Sequence, residues 1–352
     1  MDPGGEGQPL FSSRPSSRFL TYARITALSS AVSGLCFGYE FVSSAPLARA
    51  NYSLTHTLNP NRIGIVDAVL AMQTFQKFFS TSASVDGWIV SSFLLGCLLG
   101  TALVSFCADR FGRKPCLIAG SLLFICGGLA QTGAFSVSAL CVGRAVSGTG
   151  IGALSMVAPL FITEISIPSD RGALVALQQL LITVGILLAS VVNSILFAAG
   201  QTLGDAQWRV ALAMQVLPGA LLLVLALPLP RSPRWLVMVG RDGEAGAVLA
   251  KLRELPLGAP QVVEELAGIR AELGGEGLLG DAVGAGERAR LAPASGGDGA
   301  SAPSGSVRPL TLRAFLRRVA ALFSPDTLKR TALVAALQFF QQWTGIVSRA
   351  RI

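Results

Sequence analysis

The feature that most constrains this chain is a pair of long apolar segments between Arg144 and Ala189, joined by a short polar hinge at 164–171. Each arm has about 20 residues, which at about 1.5 Å per residue is enough to cross a hydrocarbon core of roughly 30 Å. Polar side chains also occur within the arms, at Arg144, Gln178 and Gln179. Because a charged or amide side chain is costly in lipid, these residues are expected to face a protein interior or a watery cavity. The pattern predicts a hairpin of two membrane helices with a polar inner face.

The composition of the whole chain is typical of a polytopic membrane protein. Of its 352 residues, 51% are hydrophobic and 14% are charged, whereas about a quarter of the residues in a soluble protein are charged. Six membrane helices are predicted before residue 230, the first near 25–47 and the sixth near 208–229. We therefore expect an all-α fold. The predicted organisation is a disordered cytosolic tail at 1–20, a six-helix transmembrane half at 21–230, a cytosolic linker with short helices and a disordered stretch at 231–328, and a partial seventh transmembrane helix at 329–352.

The basic residues indicate how these helices are oriented. They cluster in the N-terminal tail, at 110–114, at Arg171 and from Arg231 onward, while the links at 131–139 and 200–207 contain none. The predicted first outer loop carries Arg49, Arg62 and Lys77, but the overall bias remains. Because basic loops tend to stay in the cytosol, the N-terminus and these loops are predicted to be cytosolic. A net charge of +8 that is spread in this way does not form a nucleic-acid surface. We expect a multi-pass protein in the lipid bilayer of the plasma membrane, with no nucleic-acid partner.

Residues typical of metal sites and catalysis are sparse. The six cysteines lie within or beside apolar segments without CxxC spacing, and His56 is the only histidine in the sequence. Cysteines in such surroundings are expected to serve packing. We find no nucleophile–base pair and no phosphate-binding loop in the sequence. The prediction is therefore no metal, no cofactor and no enzymatic activity.

Several motifs share the order and spacing found in one family of carriers. They are FGYE at 37–40, DRFGRK at 109–114, PLFITEIS at 159–166, DRG at 170–172, QQLLITVGI at 178–186, PRSPRWL at 230–236 and QQWTGI at 341–346. Together they resemble the sugar porters, the hexose carriers of the major facilitator superfamily. The resemblance implies the N-terminal six-helix half of that fold, a partial seventh helix and a cytosolic insert. It also implies transport of a hexose or related carbohydrate across the membrane by alternating access.

By this resemblance, the contacts to the monosaccharide are Gln179, Gln341 and Gln342. Gln178 is a candidate for positioning these contacts without touching the sugar itself. A carboxamide both donates and accepts hydrogen bonds without carrying charge, which suits the hydroxyl groups of a sugar. Neutral hydrogen bonds of about 1 kcal/mol each also allow the sugar to be released. The alternative is that these glutamines bridge neighbouring helices.

A second pair implied by the resemblance is Glu40 with Arg144, the proton-coupling residues. In proton-coupled relatives, an acid on the first helix and an arginine on the fourth separate when the acid takes up a proton. Some facilitative carriers also have a glutamate at this position, so symport with protons and facilitated diffusion both fit. A static ion pair that fixes helix packing is a third interpretation.

The resemblance also implies a gate of charged residues at the cytosolic ends of the helices. Its predicted members are Asp109, Arg110, Arg113, Glu164, Arg171 and Arg234. The chain departs from the family pattern at Ser105, where glycine is usual, and at Arg231, where glutamate is usual. The alternative is that the basic residues of this set only keep their loops in the cytosol and take no part in a gate.

Two further expectations concern the first loop and the last residues. Asn51 begins the sequon Asn-Tyr-Ser and is predicted to be glycosylated outside the cell. After Ile346 the chain leaves the family pattern and ends with arginines at 349 and 351. The expectation is a truncated or incompletely spliced form of a hexose carrier. The alternative is a short form that does not transport and acts as a regulatory or dominant-negative membrane subunit.

Overall fold

The computed structural model describes residues 26–44, 68–80, 82–167 and 170–273, together with isolated helical positions at 328, 332, 333 and 336. Every regular element within these residues is a helix, so the all-α prediction is confirmed. The helices are α1 Ser33–Ser44, α2 Ala68–Ala71, α3 Gln73–Phe79, α4 Ala83–Phe111, α5 Arg113–Thr132, α6 Val137–Ile165, α7 Arg171–Ala198, α8 Ala206–Ala213, α9 Val216–Ala226, α10 Pro233–Met238 and α11 Asp242–Arg253. Residues 26–31 and 260–273 are also helical.

Five stretches of the described chain are long and apolar enough to cross a membrane. They are Ser84–Phe111, Arg113–Thr132, Val137–Ile165, Arg171–Ala198 and Ala206–Ala226. They coincide with the second to sixth predicted segments. The first predicted segment is described as helix only at 26–31 and Ser33–Ser44.

The sixth segment, predicted as one helix, has a break that the sequence explains. Residues Met214 and Gln215 form a turn between α8 and α9. Pro218 has no backbone N–H, and its ring crowds the carbonyl four residues earlier, which belongs to Met214. The Met214 carbonyl accepts a hydrogen bond from the Leu217 N–H at 3.2 Å instead. The segment therefore bends where proline interrupts its hydrogen bonding.

The helices begin and end at residues suited to those positions. Ser82 and Ser136 accept hydrogen bonds from the backbone N–H groups of Val85 and Ala139, which caps α4 and α6. Gly112 is the single residue between α4 and α5, and its φ of 94° favours glycine. A one-residue turn of this kind forces the two long helices to change direction sharply at one membrane surface.

Glycine allows α6 to pack very closely against α4. A Cβ atom added at Gly96 or Gly100 of α4 would lie 2.3 or 2.1 Å from a backbone carbonyl oxygen of α6. The same is true of Gly148 and Gly152 of α6, which meet carbonyl oxygens of α4 at 2.3 and 2.2 Å. Small residues at helix contacts let membrane helices approach backbone to backbone. These paired glycines place α6 at the centre of the bundle.

The contacts of the chain divide it into two units, residues 1–307 and 308–352. In the first unit, α1 packs mainly on α7, while α6 packs mainly on α4 and α5. The linker helices α10, α11 and 260–273 form small apolar clusters around Trp235, Leu236 and Leu249. In the second unit only positions 328, 332, 333 and 336 are described, and all four are helical. The remainder of the predicted seventh helix lies outside the described residues.

Candidate functional site

A fully enclosed ion pair lies inside the bundle, between α1 and α6. The Arg144 Nη1 atom is 3.9 Å from Glu40 Oε1, and the two side chains are 2% and 0% exposed. Burying a charge in a membrane protein is costly unless an opposite charge or polar groups compensate for it. The structure thus brings together the two residues predicted for proton coupling, at a depth where neither contacts bulk water.

Two uncharged residues that the sequence interpretation did not single out support this pair. The Gln131 Nε2 group donates a hydrogen bond to Ser147 Oγ at 2.8 Å, and Ser147 Oγ donates to the Arg144 carbonyl at 3.1 Å. Both side chains are fully buried and lie beside the Glu40 carboxylate. The sequence held one clue: Ser147 follows Arg144 by three positions, so the two share a face of a helix. Nothing in the sequence alone connects Gln131 to them.

The two adjacent glutamines of α7 face different surroundings. Gln178 is 8% exposed, and its backbone carbonyl approaches Gly34 of the first helix so closely that a Cβ atom there would be 2.6 Å away. The predicted sugar contact Gln179 is exposed. It begins a row of polar residues whose spacing of 4, 7 and 4 places them on one side of the helix: Gln179, Thr183, Ser190 and Ser194. We refer to these four residues as the polar row.

The remaining members of the predicted sugar site are Gln341 and Gln342, which lie outside the described residues. The same holds for the predicted glycosylation site Asn51. Of the three predicted sugar contacts, Gln179 therefore lies within the described residues.

At one end of the bundle, Arg113 joins two acidic residues of the predicted gate. Its Nη2 atom is 2.9 Å from Glu164 Oε1, and its Nη1 atom is 3.5 Å from Asp109 Oδ1. Arg113 Nη1 also donates to the Ala108 carbonyl at 3.0 Å. The Arg113 and Glu164 side chains are 8% and 4% exposed. The pair ties the start of α5 to the end of α6 at a place largely screened from water.

Residues after α9 complete this cluster. The Trp235 indole N–H donates to the Asp109 carbonyl at 3.0 Å, and its ring lies over Gly112. Arg234 contributes a positive charge near Glu164 and also pairs with Glu272 at 3.3 Å. The structure thus groups four of the six predicted gate residues around the turn between α4 and α5.

The other two predicted gate residues, Arg110 and Arg171, are exposed. Arg110 lies over the ring of Phe111, 5.7 Å from its centroid. Within the described part of the chain, neither arginine forms an ion pair with Asp109 or Glu164. Their assignment to the gate stays a prediction.

Arg253 is a further residue that sequence reasoning missed. Its guanidinium makes a two-pronged contact with Glu265, with Nε–Oε2 at 2.9 Å and Nη2–Oε1 at 2.6 Å. Its Nη1 atom also reaches the Ile165 carbonyl at the end of α6, at 3.5 Å. A cation at this position interacts favourably with the negative end of the helix dipole. Arg253 thereby fastens α11 and the helix at 260–273 to a membrane helix.

At the opposite end of the bundle, aromatic residues hold α3 in place. Phe75, Phe78 and Phe79 surround Trp208, with ring centroids 5.3 to 5.7 Å away. Thr74 donates a hydrogen bond to Gln207 at 2.7 Å. This packing gives the aromatic residues of α3 a structural role.

The described chain is an all-helical bundle with several membrane spans, a buried acid–arginine pair and a charged cluster at the α4–α5 turn, and these are features expected of a membrane transporter. The pattern of the family described as "Sugar (and other) transporter" matches residues 26–288, and the chain belongs to this family. The predicted resemblance to sugar porters is thereby confirmed. The family consists of carriers and not enzymes, and its members are multi-pass membrane proteins.

Known proteins agree with this assignment. The chain is 38% identical over 216 residues to a putative metabolite transport protein, YwtG of Bacillus subtilis, covering 61% of this chain and 44% of the relative. It is 35% identical over 211 residues to the arabinose-proton symporter of Escherichia coli, covering 60% and 42%. The partially occluded inward-open structure of the xylose transporter XylE from E. coli matches with a TM-score of 0.61 at 26% identity, covering 74% of this chain and 62% of that one. The chain spans about two fifths of the length of these curated relatives.

Proposed function

We propose that the complete protein carries a monosaccharide across the membrane together with protons. The observation that carries this proposal is the enclosed Glu40–Arg144 pair, at 3.9 Å, in a member of the sugar transporter family. A buried carboxylate opposite an arginine can hold one proton or one ion pair, and changing between them alters the attraction between two helices. The names of relatives that transport arabinose or xylose with protons support the same interpretation.

In this proposal, Glu40 is the proton-binding residue and Arg144 is its counter-ion. When Glu40 is ionised, it attracts Arg144 and holds α1 and α7 against α6. When Glu40 takes up a proton, that attraction is lost and the two groups of helices are free to rearrange. Proton uptake is thereby linked to the change of access.

The polar row on α7 is the proposed wall of the sugar site. Gln179 offers a neutral amide that donates and accepts hydrogen bonds, and Thr183 and Ser190 extend the polar surface along the helix. By the family resemblance, Gln341 and Gln342 are the other proposed contacts to the sugar. Gln178, which is packed against the first helix, holds α7 in position and does not contact the sugar.

The Arg113–Glu164 pair with Asp109 and Arg234 is the proposed gate at the cytosolic end. The basic residues at this end, including Arg110 and Lys114, support a cytosolic position for the gate. The N-terminus lies on the same side, and the plasma membrane is the proposed location. Asn51 then lies outside the cell, where its sequon can be glycosylated.

The experiment that tests this function is uptake by the complete protein in liposomes. Labelled arabinose, xylose, glucose and galactose are supplied with an inward proton gradient, without a gradient, and with a proton ionophore. The proposal predicts accumulation above the outside concentration of at least one sugar, only when the gradient is present. Entry that merely equilibrates in all three conditions would identify a facilitated carrier instead, and no entry of any sugar would contradict transport of these monosaccharides.

A further inference from the structure

A shallow groove opens at the start of α5, beside the segment that follows α9. Its volume is about 320 Å³. The residues that line it are Lys114, Pro115, Ile118, Ala119, Leu122 and Arg231. Two of these residues are cationic, the other four are apolar, and none of the six is acidic. The groove lies outside the ion pair, the polar row and the gate.

The position of the groove relative to the membrane follows from the helix bounds. Lys114 is the second residue of α5, and Arg231 lies five residues beyond the last residue of α9, Ala226. Both cations are therefore at the membrane surface. Leu122 is eight residues after Lys114, or about 12 Å deeper at about 1.5 Å per residue. The groove thus has a charged rim at the surface and an apolar floor that extends into the hydrocarbon region.

Both cations are held at the rim by contacts with the protein. The Lys114 Nζ group donates a hydrogen bond to the Leu227 carbonyl at 2.7 Å, which keeps the ammonium near the end of α9. The Arg231 guanidinium is exposed and lies 5.7 Å from the centroid of the Trp235 ring. Trp235 is fixed in turn by its hydrogen bond to Asp109. The contacts of Lys114 and Arg231 therefore hold both positive charges in defined positions at the rim.

We propose that this groove binds a phospholipid with an anionic headgroup. The headgroup contacts Lys114 and Arg231, and one acyl chain lies along Ile118 and Leu122. Basic pockets between membrane helices on the cytosolic side are suited to anionic headgroups, and an apolar floor has no favourable contact to offer a free phosphate ion. On the proposed topology the groove faces the cytosolic leaflet, where anionic lipids are concentrated.

The positive charge of Arg231 determines whether the groove prefers an anionic headgroup to a neutral one. Glutamate at this position would leave one cation and one anion at the rim and remove the attraction for a negative headgroup. Arg231 is exposed, and among the described residues its guanidinium lies over the ring of Trp235 without forming an ion pair, so replacing it should not disturb the fold. The proposal is independent of the transported substrate, because it concerns the lipid-facing side of the bundle.

The test measures lipid retention by the purified complete protein, using native mass spectrometry with phosphatidylglycerol and phosphatidylcholine of identical chains. The proposal predicts preferential retention of phosphatidylglycerol. We expect Arg231→Gln to weaken that retention roughly fivefold and Arg231→Glu to abolish the preference. Arg171→Gln is the matched control, because Arg171 is an exposed arginine at the start of α7 that is not among the residues lining the groove. Equal retention of the two lipids, or an equal loss in Arg171→Gln, would overturn the proposal.

A second variant separates a lipid from a free phosphate. Leu122→Trp fills the floor of the groove with a bulky side chain at an exposed position and leaves both cations unchanged. We expect it to reduce the retention of phosphatidylglycerol without changing the melting temperature in lipid-free detergent. If inorganic phosphate displaces the lipid completely and Leu122→Trp has no effect, the groove is an anion site and not a lipid site.

Discussion

Glu40 and Arg144 join two groups of helices that otherwise pack mainly within themselves. Glu40 belongs to α1, which packs chiefly on α7, and Arg144 belongs to α6, which packs chiefly on α4 and α5. The 3.9 Å contact between their charged atoms therefore crosses the boundary between the two groups. Protonation of Glu40 would remove the attraction across this boundary and so change the force that holds the two groups of helices together. A carrier can use such a change to link protonation to movement of the helices.

Gln131 is predicted to be a positioning residue for this pair. Gln131→Leu keeps the side-chain volume similar but removes the hydrogen bond to Ser147. The substitution also takes a polar amide away from the Glu40 carboxylate. The ionised form of Glu40 is then stabilised less than in the wild type. We expect the pH profile of proton-driven uptake to shift toward higher pH, while the KM for sugar changes less than twofold.

A purely structural role for Gln131 would lower the melting temperature and leave the pH profile in place. Gln131→Asn, which retains the amide, should recover part of the original profile. A profile in Gln131→Leu that is identical to the wild-type profile would contradict the positioning role.

Gln179 and Gln178 are predicted to respond differently to substitution. In the proposed role of Gln179, Gln179→Ala removes hydrogen bonds to the sugar, and the loss of about 1–3 kcal/mol of binding corresponds to a rise in KM of roughly 5- to 150-fold. Gln178→Ala should chiefly lower the melting temperature, because Gln178 is buried against the first helix. Sugar binding measured by calorimetry distinguishes the two, and equal losses of affinity would contradict the proposed division of roles.

The Arg113–Glu164 pair is predicted to control which side of the membrane the site faces. Glu164→Gln leaves the Arg113 charge without its closest carboxylate, and the loss of a largely buried pair costs about 3–5 kcal/mol. We expect a shift toward the inward-facing state, measured as the ratio of alkylation from the two sides at a single cysteine placed at position 183. Arg241→Gln, which breaks an exposed pair with Glu244, serves as the control. An unchanged ratio in Glu164→Gln would remove the pair from the gate.

The close approach of α4 and α6 is predicted to depend on Gly100. A Cβ atom there would lie 2.1 Å from the Thr149 carbonyl oxygen, so Gly100→Val must push the two helices apart. We expect a loss of about 1–3 kcal/mol of stability or more, seen as a lower melting temperature in detergent. Gly87→Val in the same helix meets nothing within 4 Å and should have little effect. Equal melting temperatures of the two variants would show that the helices adjust freely.

Much of this architecture could be predicted from the sequence, because membrane helices are marked by long apolar stretches and the α4–α5 turn by a glycine among basic residues. The pairing of Glu40 with Arg144, more than 100 positions apart, came from family resemblance and not from spacing. The break at Met214 follows from Pro218, but only once the helix is known to continue on both sides.

Other features depend on how helices rotate and pack, which spacing alone does not determine. Spacing shows that Gln178 and Gln179 face different directions, but not which one meets α1. Gln131 and Arg253 act through partners on other helices, Ser147 and Glu265, and their contacts appear only when those helices are assembled.

The most direct test of the central claim is sugar accumulation by Glu40→Gln in liposomes with an imposed proton gradient. Glutamine keeps the size and polarity of the side chain but cannot exchange a proton. The account predicts that this variant still exchanges sugar across the membrane but no longer accumulates it, while Asp205→Asn, at an exposed acid far from the pair, behaves like the wild type. Gradient-driven accumulation by Glu40→Gln at the wild-type level would contradict the account.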